Sequence, residues 1–434
     1  MSRVIRGLVL SLSVLVIAYV AIGYVLAQAP GSEKPYRSLS VYSQVLSHIQ
    51  QDYVEDPDMP LVTTGALRGL LESLDAQSSY LSPREYADYK SRMADLPKGE
   101  VGAAITKRFG YVSIISVLPD SPAGRAGLRG GDIFEKIAGF TTREMSLEQA
   151  RVLLAGVPGS TVTGSVVRRG RNEPLEIELV RGAPGNLSLI TERMEGQPAG
   201  SDDADVAYLR VPALTAGKAE EVRRQLAQFE RQGLRRLALD LRECAVGEIS
   251  EGVALARLFV NAGTITVLRG QTVDRQEFLA EASQVAWKYP MVVLTSNGTA
   301  GAAEVAAAAM AGNQRAQVVG TRTSGTASQQ KLIPLEDGAA LVLTVANYFT
   351  PAGRSIPEEG VAPTVAVDGD DLRNEYFGTI PPREEDKVLK RALEVVRSGV
   401  PAPAALAKAA AAAPPKAAQT RNRLPEPVAL PAAA

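Results

Sequence analysis

From Ala207 onward the apolar positions switch regularly between two periods. Short alternating or continuous apolar runs, A-Y-L-R-V, L-A-L-D-L and M-V-V-L-T, predict strands. Between and after them, K-A-E-E-V-R-R-Q-L-A-Q-F-E-R-Q-G, E-G-V-A-L-A-R-L-F-V and A-E-V-A-A-A-A-M-A-G predict helices. Strand and helix in turn imply crossover connections and a largely parallel sheet with helices on its faces. Sites in such sheets lie at the C-terminal ends of strands, where Asn297 to Gly301 falls after M-V-V-L-T. Upstream, residues 101–180 carry short β-rich runs, V-G-A-A-I, Y-V-S-I-I-S-V-L and V-T-G-S-V-V, between glycine clusters, with one helix at S-L-E-Q-A-R-V-L-L-A-G. That pattern predicts a compact β-domain. Residues 35–95 show helical spacing in L-V-T-T-G-A-L-R-G-L-L-E-S-L and then the turn-rich D-A-Q-S-S-Y-L-S-P-R-E-Y, predicting a small helical module. Late in the sequence, the run A-A-L-V-L-T-V-A-N-Y-F-T reads as β. The Ala/Pro-rich end, from about Val400, cannot bury a core and predicts a disordered tail. The fold class expected is therefore multi-domain α/β.

At 434 residues the protein can hold two or three domains, each with its own core. A formal net charge of -1 argues against a nucleic-acid surface. With one cysteine, Cys244, and one histidine, His48, disulfide frameworks and multi-histidine or cysteine-rich metal sites are excluded, and nothing points to a cofactor. Any Ser-His or Cys-His mechanism within one polypeptide would need His48, which sits at helical spacing in V-Y-S-Q-V-L-S-H-I-Q-Q-D-Y and reads as a surface-helix residue. Arg3 and Arg6 precede an uncharged apolar run from Gly7 to Ala27, about the length needed to span a bilayer with its start in the cytoplasm. Ala27-Gln28-Ala29 offers a cleavage site, but the length of the run favours an uncleaved anchor over a signal peptide. Either way the bulk of the protein is expected outside the cytoplasm, periplasmic or otherwise extracytoplasmic.

Two stretches carry a resemblance. Ser116 to Gly139, S-V-L-P-D-S-P-A-G-R-A-G-L-R-G-G-D-I-F-E-K-I-A-G, resembles the core of a PDZ domain, with its small residues, paired glycines and Asp132 at fixed offsets. The run from Gly320 to Val365, through P-L-E-D-G-A-A-L-V-L-T-V-A-N-Y-F-T-P-A-G-R-S-I-P-E-E-G-V-A-P-T-V, resembles the C-terminal processing (tail-specific) serine peptidases, which join a PDZ domain to a Ser-Lys catalytic core. The likeness spans roughly residues 40–395 and includes A-L-R-G-L-L-E-S-L-D and L-A-L-D-L-R. It implies an anchor or signal at 1–30, a helical module at 35–96, a PDZ domain at 97–183, an α/β (crotonase-like) peptidase core at 184–398 and a tail at 399–434.

The same resemblance locates an active site and shows it emptied. The family's nucleophile lies in S-A-S-A-S-E-[IV]; anchored on Glu304-Val305, this chain reads T-A-G-A-A-E-V and has Gly301 at the nucleophile. The family's lysine base lies in T-F-G-K-G-x-V-Q; anchored on Val319-Gly320 and Gln330, this chain reads T-S-G-T-A-S-Q-Q and has Thr326 at the base. Gln330 keeps the residue that orients the base. Glycine offers no nucleophilic atom, and a threonine hydroxyl takes up a proton only at very low pH. Where the family has N-P-G-G for its oxyanion glycine, this chain has Cys244-Ala245-Val246-Gly247, so Val246 replaces the first glycine beside Gly247. Nearby hydroxyls (Ser296, Thr299, Ser324, Ser328), Lys331 and Cys244 are weak substitutes: Lys331 faces away from Gln330 in an extended strand.

A PDZ domain binds free peptide C-termini by strand addition, its glycine-containing loop capturing the carboxylate. By resemblance that loop is E-V-G-A-A-I, with Val101, Gly102 and Ala103 as the peptide-binding residues and Glu100 in place of a glycine. The expected function is an exported, membrane-anchored pseudopeptidase that binds peptide or protein C-termini or serves as a scaffold. The alternative is an active serine endopeptidase using relocated residues. A homodimer, or a complex with an active paralogue through the helical module, is a further expectation.

Overall fold

The computed structural model describes residues 33–94, 99–171, 173–183, 185, 187–194, 205–357, 359–367 and 378–399. The expected membrane segment and the tail beyond Gly399 lie outside the described residues. The protein divides into two compact units, residues 1–66 and 67–434.

The first unit holds α1 (Glu33–Asp52) and the start of α2 (Met59–Glu72). Asp58 begins α2, its Oδ1 accepting the Leu61 N–H at 3.0 Å and so satisfying a donor that the helix itself cannot. His48 is on the surface of α1, its Nδ1 2.7 Å from Asp52 Oδ2 one turn on, as the helical spacing predicted. Among the described residues no helix is long and apolar enough to cross a membrane.

The second unit opens with β1 (Ser79–Leu81) and α3 (Pro83–Ala94). Ser82 and Glu85 form a reciprocal cap: the Glu85 N–H donates to Ser82 Oγ at 3.4 Å, and the Ser82 N–H to Glu85 Oε2 at 2.9 Å. The turn-rich stretch expected to belong to a helical module thus contains a strand. Three residues are too short for a periodic signal; distant pairing makes them a strand.

The β-domain follows. It comprises β2 (Ala103–Arg108), β3 (Tyr111–Val117), α4 (Pro122–Arg125), β4 (Ile133–Ile137), β5 (Phe140–Thr141), α5 (Leu147–Leu154), β6 (Thr161–Val167) and β7 (Leu175–Val180). Its antiparallel sheet runs β2-β3-β4-β6-β7, with β5 on β4, which leaves β2 as an outer strand. Ser121 caps α4 by accepting the Gly124 N–H at 3.0 Å, and Ser146 caps α5 by accepting that of Gln149 at 3.0 Å. Asp132 closes the G-G-D turn by accepting the Arg129 N–H at 2.9 Å and a two-pronged contact from Arg168 at 2.8 and 2.7 Å. The core gathers around Phe134, Ile137 and Leu147.

The α/β core begins with β8 (Ile190–Met194), β9 (Val206–Arg210), α6 (Lys218–Arg231), β10 (Leu237–Asp240) and α7 (Ile249–Arg257). It continues through β11 (Thr264–Gly270), β12 (Gln276–Leu279), β13 (Met291–Thr295), α8 (Ala302–Gly312) and β14 (Gln317–Gly320). The last elements are β15 (Ser328–Pro334), β16 (Ala340–Phe349), β17 (Val365–Ala366) and α9 (Lys387–Ser398). Its main sheet runs β17-β14-β13-β10-β9-β8, parallel throughout except between β8 and β9. Both faces are covered, so β10 and β13 are buried at every position. Leu237 and Leu239 pack toward Val222, Leu226 and Val305 on one face, while Ala238 and Val292 meet Val388, Leu389 and Ala392 of α9 on the other. The expected strict alternation of strand and helix is broken by β11 and β12. These pair antiparallel with each other, and β11 joins β16 in a second sheet, β1-β16-β11-β12, with β15 also on β16.

Candidate functional site

β13 ends at Thr295, and the backbone turns through Ser296–Ala300 into α8 at Gly301. Gly301 has φ 55° and ψ −113°, a conformation that L side chains rarely adopt. It is the sharp strand-to-helix turn on which hydrolases expose a nucleophile. A Cβ placed there would meet no atom within 4 Å, so the position opens into free space.

Glu304, one turn into α8, organises what surrounds it. Its buried carboxyl accepts the Gly325 N–H at 2.6 Å, the Thr326 N–H at 2.8 Å and the Gly301 N–H at 3.0 Å, with the Thr323 hydroxyl as a further donor. Burial pushes its pKa up, and these hydrogen bonds pull partly against that shift. The result draws the 323–326 loop onto the helix start. Thr326 Oγ1 accepts the Gly301 N–H at 3.2 Å and stands 3.3 Å from Glu304 Oε2. The two residues expected at nucleophile and base are therefore in direct contact, although 25 positions separate them in sequence.

Other expected residues are placed differently. Gln330, on exposed β15, donates its amide to Ser328 Oγ at 2.7 Å instead of reaching Thr326. Ser328 in turn binds Thr326 through the backbone, its N–H 2.8 Å from the Thr326 carbonyl. Lys331 is exposed, as are its neighbours Gln329 and Gln330. Val246 and Gly247 follow β10 and flank Leu214: the Val246 carbonyl accepts the Leu214 N–H at 2.8 Å. Gly247 has φ 147°, and a Cβ there would lie 2.3 Å from the Leu214 carbonyl oxygen, so only glycine fits. Among the described residues the N–H groups of Gly247 and Ala302 have no acceptor.

Of the other hydroxyls near this turn, those of Thr299 and Ser296 are committed to hydrogen bonds. Thr299 is buried, donating to the Leu241 carbonyl at 2.8 Å and accepting the Ser296 N–H at 3.0 Å. Ser296 Oγ donates to Glu243 Oε1 at 2.9 Å and accepts the Gly298 N–H at 3.0 Å. Ser324 is buried. Burial pushes the Cys244 thiol up to about 12, which leaves no thiolate at neutral pH. Glu243, which the sequence did not single out, supports the turn from beneath; burial raises its carboxyl to about 7, against a pull downward from Ser296. A second unforeseen element is Arg242, which binds Asp240 at 2.6 Å and Asp386, the cap of α9, at 2.7 Å. Its partner lies 144 residues away, so no local motif announces it.

A cleft of about 440 Å³ joins this corner to the β-domain. One wall carries Val101, Gly102, Ala103 and Ile105 with Leu154 and Arg151 of α5; the other carries Gly247, Gly301 and Thr326. All three residues expected to bind peptide line it. The Val101 and Gly102 carbonyls accept from Ala123 and Leu118 at 2.8 Å each, whereas their N–H groups have no acceptor among the described residues. Glu100 exchanges both backbone bonds with Gly182, at 2.8 and 3.0 Å, which pins the loop from outside.

Residues 205–367 match the model of Peptidase family S41, and residues 113–168 match that of the PDZ domain. The carboxy-terminal-processing protease of Bartonella bacilliformis is 30% identical over 344 residues, 77% of this chain and 76% of that protein. The chain belongs to the C-terminal processing peptidase family. Within this family, the carboxyl-terminal-processing protease of a Synechocystis species is 31% identical over 308 residues, 70% of this chain and 71% of that protein. In three dimensions the protein is similar to a photosystem II D1 C-terminal processing protease, with a TM-score of 0.63 and 26% identity over 82% of this chain and 90% of that one. A PDZ domain joined to a tail-specific peptidase core fits recognition of peptide C-termini.

Proposed function

We propose that this protein is an exported, membrane-anchored pseudopeptidase that binds peptide C-termini. The observation that carries this reading is the contact between Gly301 and Thr326: where a nucleophile and its base would meet, a backbone N–H meets a hydroxyl at 3.2 Å. A backbone N–H cannot attack a carbonyl and a threonine hydroxyl cannot act as the base at neutral pH, and removing one member of such a unit can cost nearly as much as removing all of it. The N–H groups of Val101 and Gly102, without acceptors among the described residues and beside the outer strand β2, support carboxylate capture by strand addition. Anchoring rests on Arg3, Arg6 and the apolar run that follows them. Exposed Leu39, Val45 and Leu61 of the first unit offer a surface for a homodimer or for an active paralogue.

The second reading, an active endopeptidase, is favoured by one feature: the turn at Gly301 and the free N–H groups of Gly247 and Ala302 persist around the vacancy. Mass spectrometry of unstructured peptides with free apolar C-termini, incubated with the full-length protein, separates the two. The expected result is binding by titration, lost at least tenfold when the peptide carboxylate is amidated, with no cleavage. Cleavage that stops on Thr299→Ala or Ser324→Ala would establish the second reading instead.

A further inference from the structure

The cleft wall at Gly301 contains a recess for which strand addition alone assigns no role. A peptide added to β2 continues the pleat, so its side chains alternate between the two faces of the sheet. Ala103 and Ile105 pack against the apolar cluster of the β-domain near Leu154. Ala104 lies between them, outside that cluster, and lines the cleft. Peptide side chains that share its face meet the core wall, where Ala245, Ile249, Ala300, Gly301 and Ala302 carry no charge. At the centre of this wall a Cβ on Gly301 would have no neighbour within 4 Å. The volume in which a nucleophile side chain would stand is therefore open, with Ala245, Ala300 and Ala302 beside the hydroxyls of Thr326 and Ser328 on the same wall.

We propose that the vacated recess is a side-chain subsite. It takes the apolar side chain of the penultimate residue of a peptide whose carboxyl-terminal side chain is seated at Ile105 and Leu154. This inference rests on the peptide-binding reading above and adds that loss of the nucleophile alters which C-termini are selected. A leucine side chain leaving water for this recess gains the free energy of apolar burial. A penultimate aspartate is desolvated opposite a wall without a cation, where the N–H groups of Gly247 and Ala302 offset only part of the cost; Arg151 is on the other wall, paired with Glu148.

The test titrates the full-length protein, by fluorescence anisotropy, with labelled peptides that end in alanine and differ only in a penultimate leucine, glycine or aspartate. Leucine is expected to bind about tenfold tighter than aspartate and several-fold tighter than glycine. Two variants close the recess from different sides: Ala245→Leu narrows it, and Gly301→Ser refills it with a polar group. In each the leucine-to-glycine affinity ratio is expected to fall toward one. Ala245→Leu keeps the test valid should the strained position at 301 reject a side chain. Equal binding whatever the penultimate residue, or a ratio unchanged in both variants, overturns the subsite while leaving the peptide-binding function intact. Absence of binding by all three peptides overturns that function and the subsite with it.

Discussion

The loop at Val101 and Gly102 and the turn at Gly301, on facing walls of the cleft, treat their backbone donors in opposite ways. On the β-domain wall, the N–H groups of Val101 and Gly102 are left without acceptors among the described residues, next to a strand edge. On the core wall, the Gly301 N–H is taken up twice, by Glu304 at 3.0 Å and by Thr326 at 3.2 Å. Buried donors without partners are costly, so one kept open marks a place where a ligand completes the structure. A donor satisfied from within marks a place that is complete by itself. The contrast separates a loop with open donors from a turn whose donor is satisfied from within.

The sharpest way to break this contrast is to remove the group that closes the corner. Glu304→Ala leaves the donors of Gly301, Thr323, Gly325 and Thr326 facing an empty site. A loss of about 3–5 kcal/mol in unfolding free energy is expected from urea titration. A loss below about 1 kcal/mol would mean that the corner does not depend on Glu304.

The next effect is set by pH. Burial raises the folded-state carboxyl of Glu243 from 4.5 to about 7. Between these values the folded protein binds more protons than the unfolded chain, so this group's stabilising contribution is full in acid and is lost as pH rises toward 7. Unfolding free energies of Glu243→Gln and the natural protein, compared from pH 4.5 to 8, should diverge by about 3 kcal/mol in favour of the variant at the upper end. A constant difference across that range would show that the carboxyl is not strained by burial.

Smaller effects test the two walls one at a time. Gly301→Ser places a hydroxymethyl group at φ 55° into open space, so only backbone strain opposes it, and a loss of about 1–2 kcal/mol is expected. On the other wall, Glu100→Gly removes an exposed carboxylate beside the expected carboxylate site. Affinity for free C-termini should rise about threefold at low salt and converge with the natural protein at high salt. An increase that does not depend on salt would point to the loop's backbone and away from its charge.

Much of this molecule is written in local periodicity. The strands and helices of the core, the lone histidine on a surface helix and the β-rich domain follow from side-chain spacing and capping residues alone. Motif offsets also gave the expectation that Gly301 and Thr326 stand at the nucleophile and base positions, from the anchors Glu304-Val305 and Val319-Gly320, and the structure shows these two residues in contact. Other features had no such signal. Ser79–Leu81 is a strand only because it pairs with residues 340–342 of β16, and β11 leaves the expected alternation because its partner is also β16. Gln330 was expected to orient the base, yet its amide turns to Ser328, a choice made by exposed side chains on one strand face.

By itself, then, the sequence determined the element types, the family and the residues, glycine and threonine, that stand at positions 301 and 326. These depend on residue identity and on interactions within a few positions of one another. Only the tertiary structure decided that the two positions touch, that Glu304 seals them together, that Arg242 reaches Asp386, and that the loop at Val101–Ala103 and the turn at Gly301 share one cleft. Each is a contact between groups far apart in sequence. Their directional bonds and close packing exist only once the protein has folded, so no stretch read alone contains them.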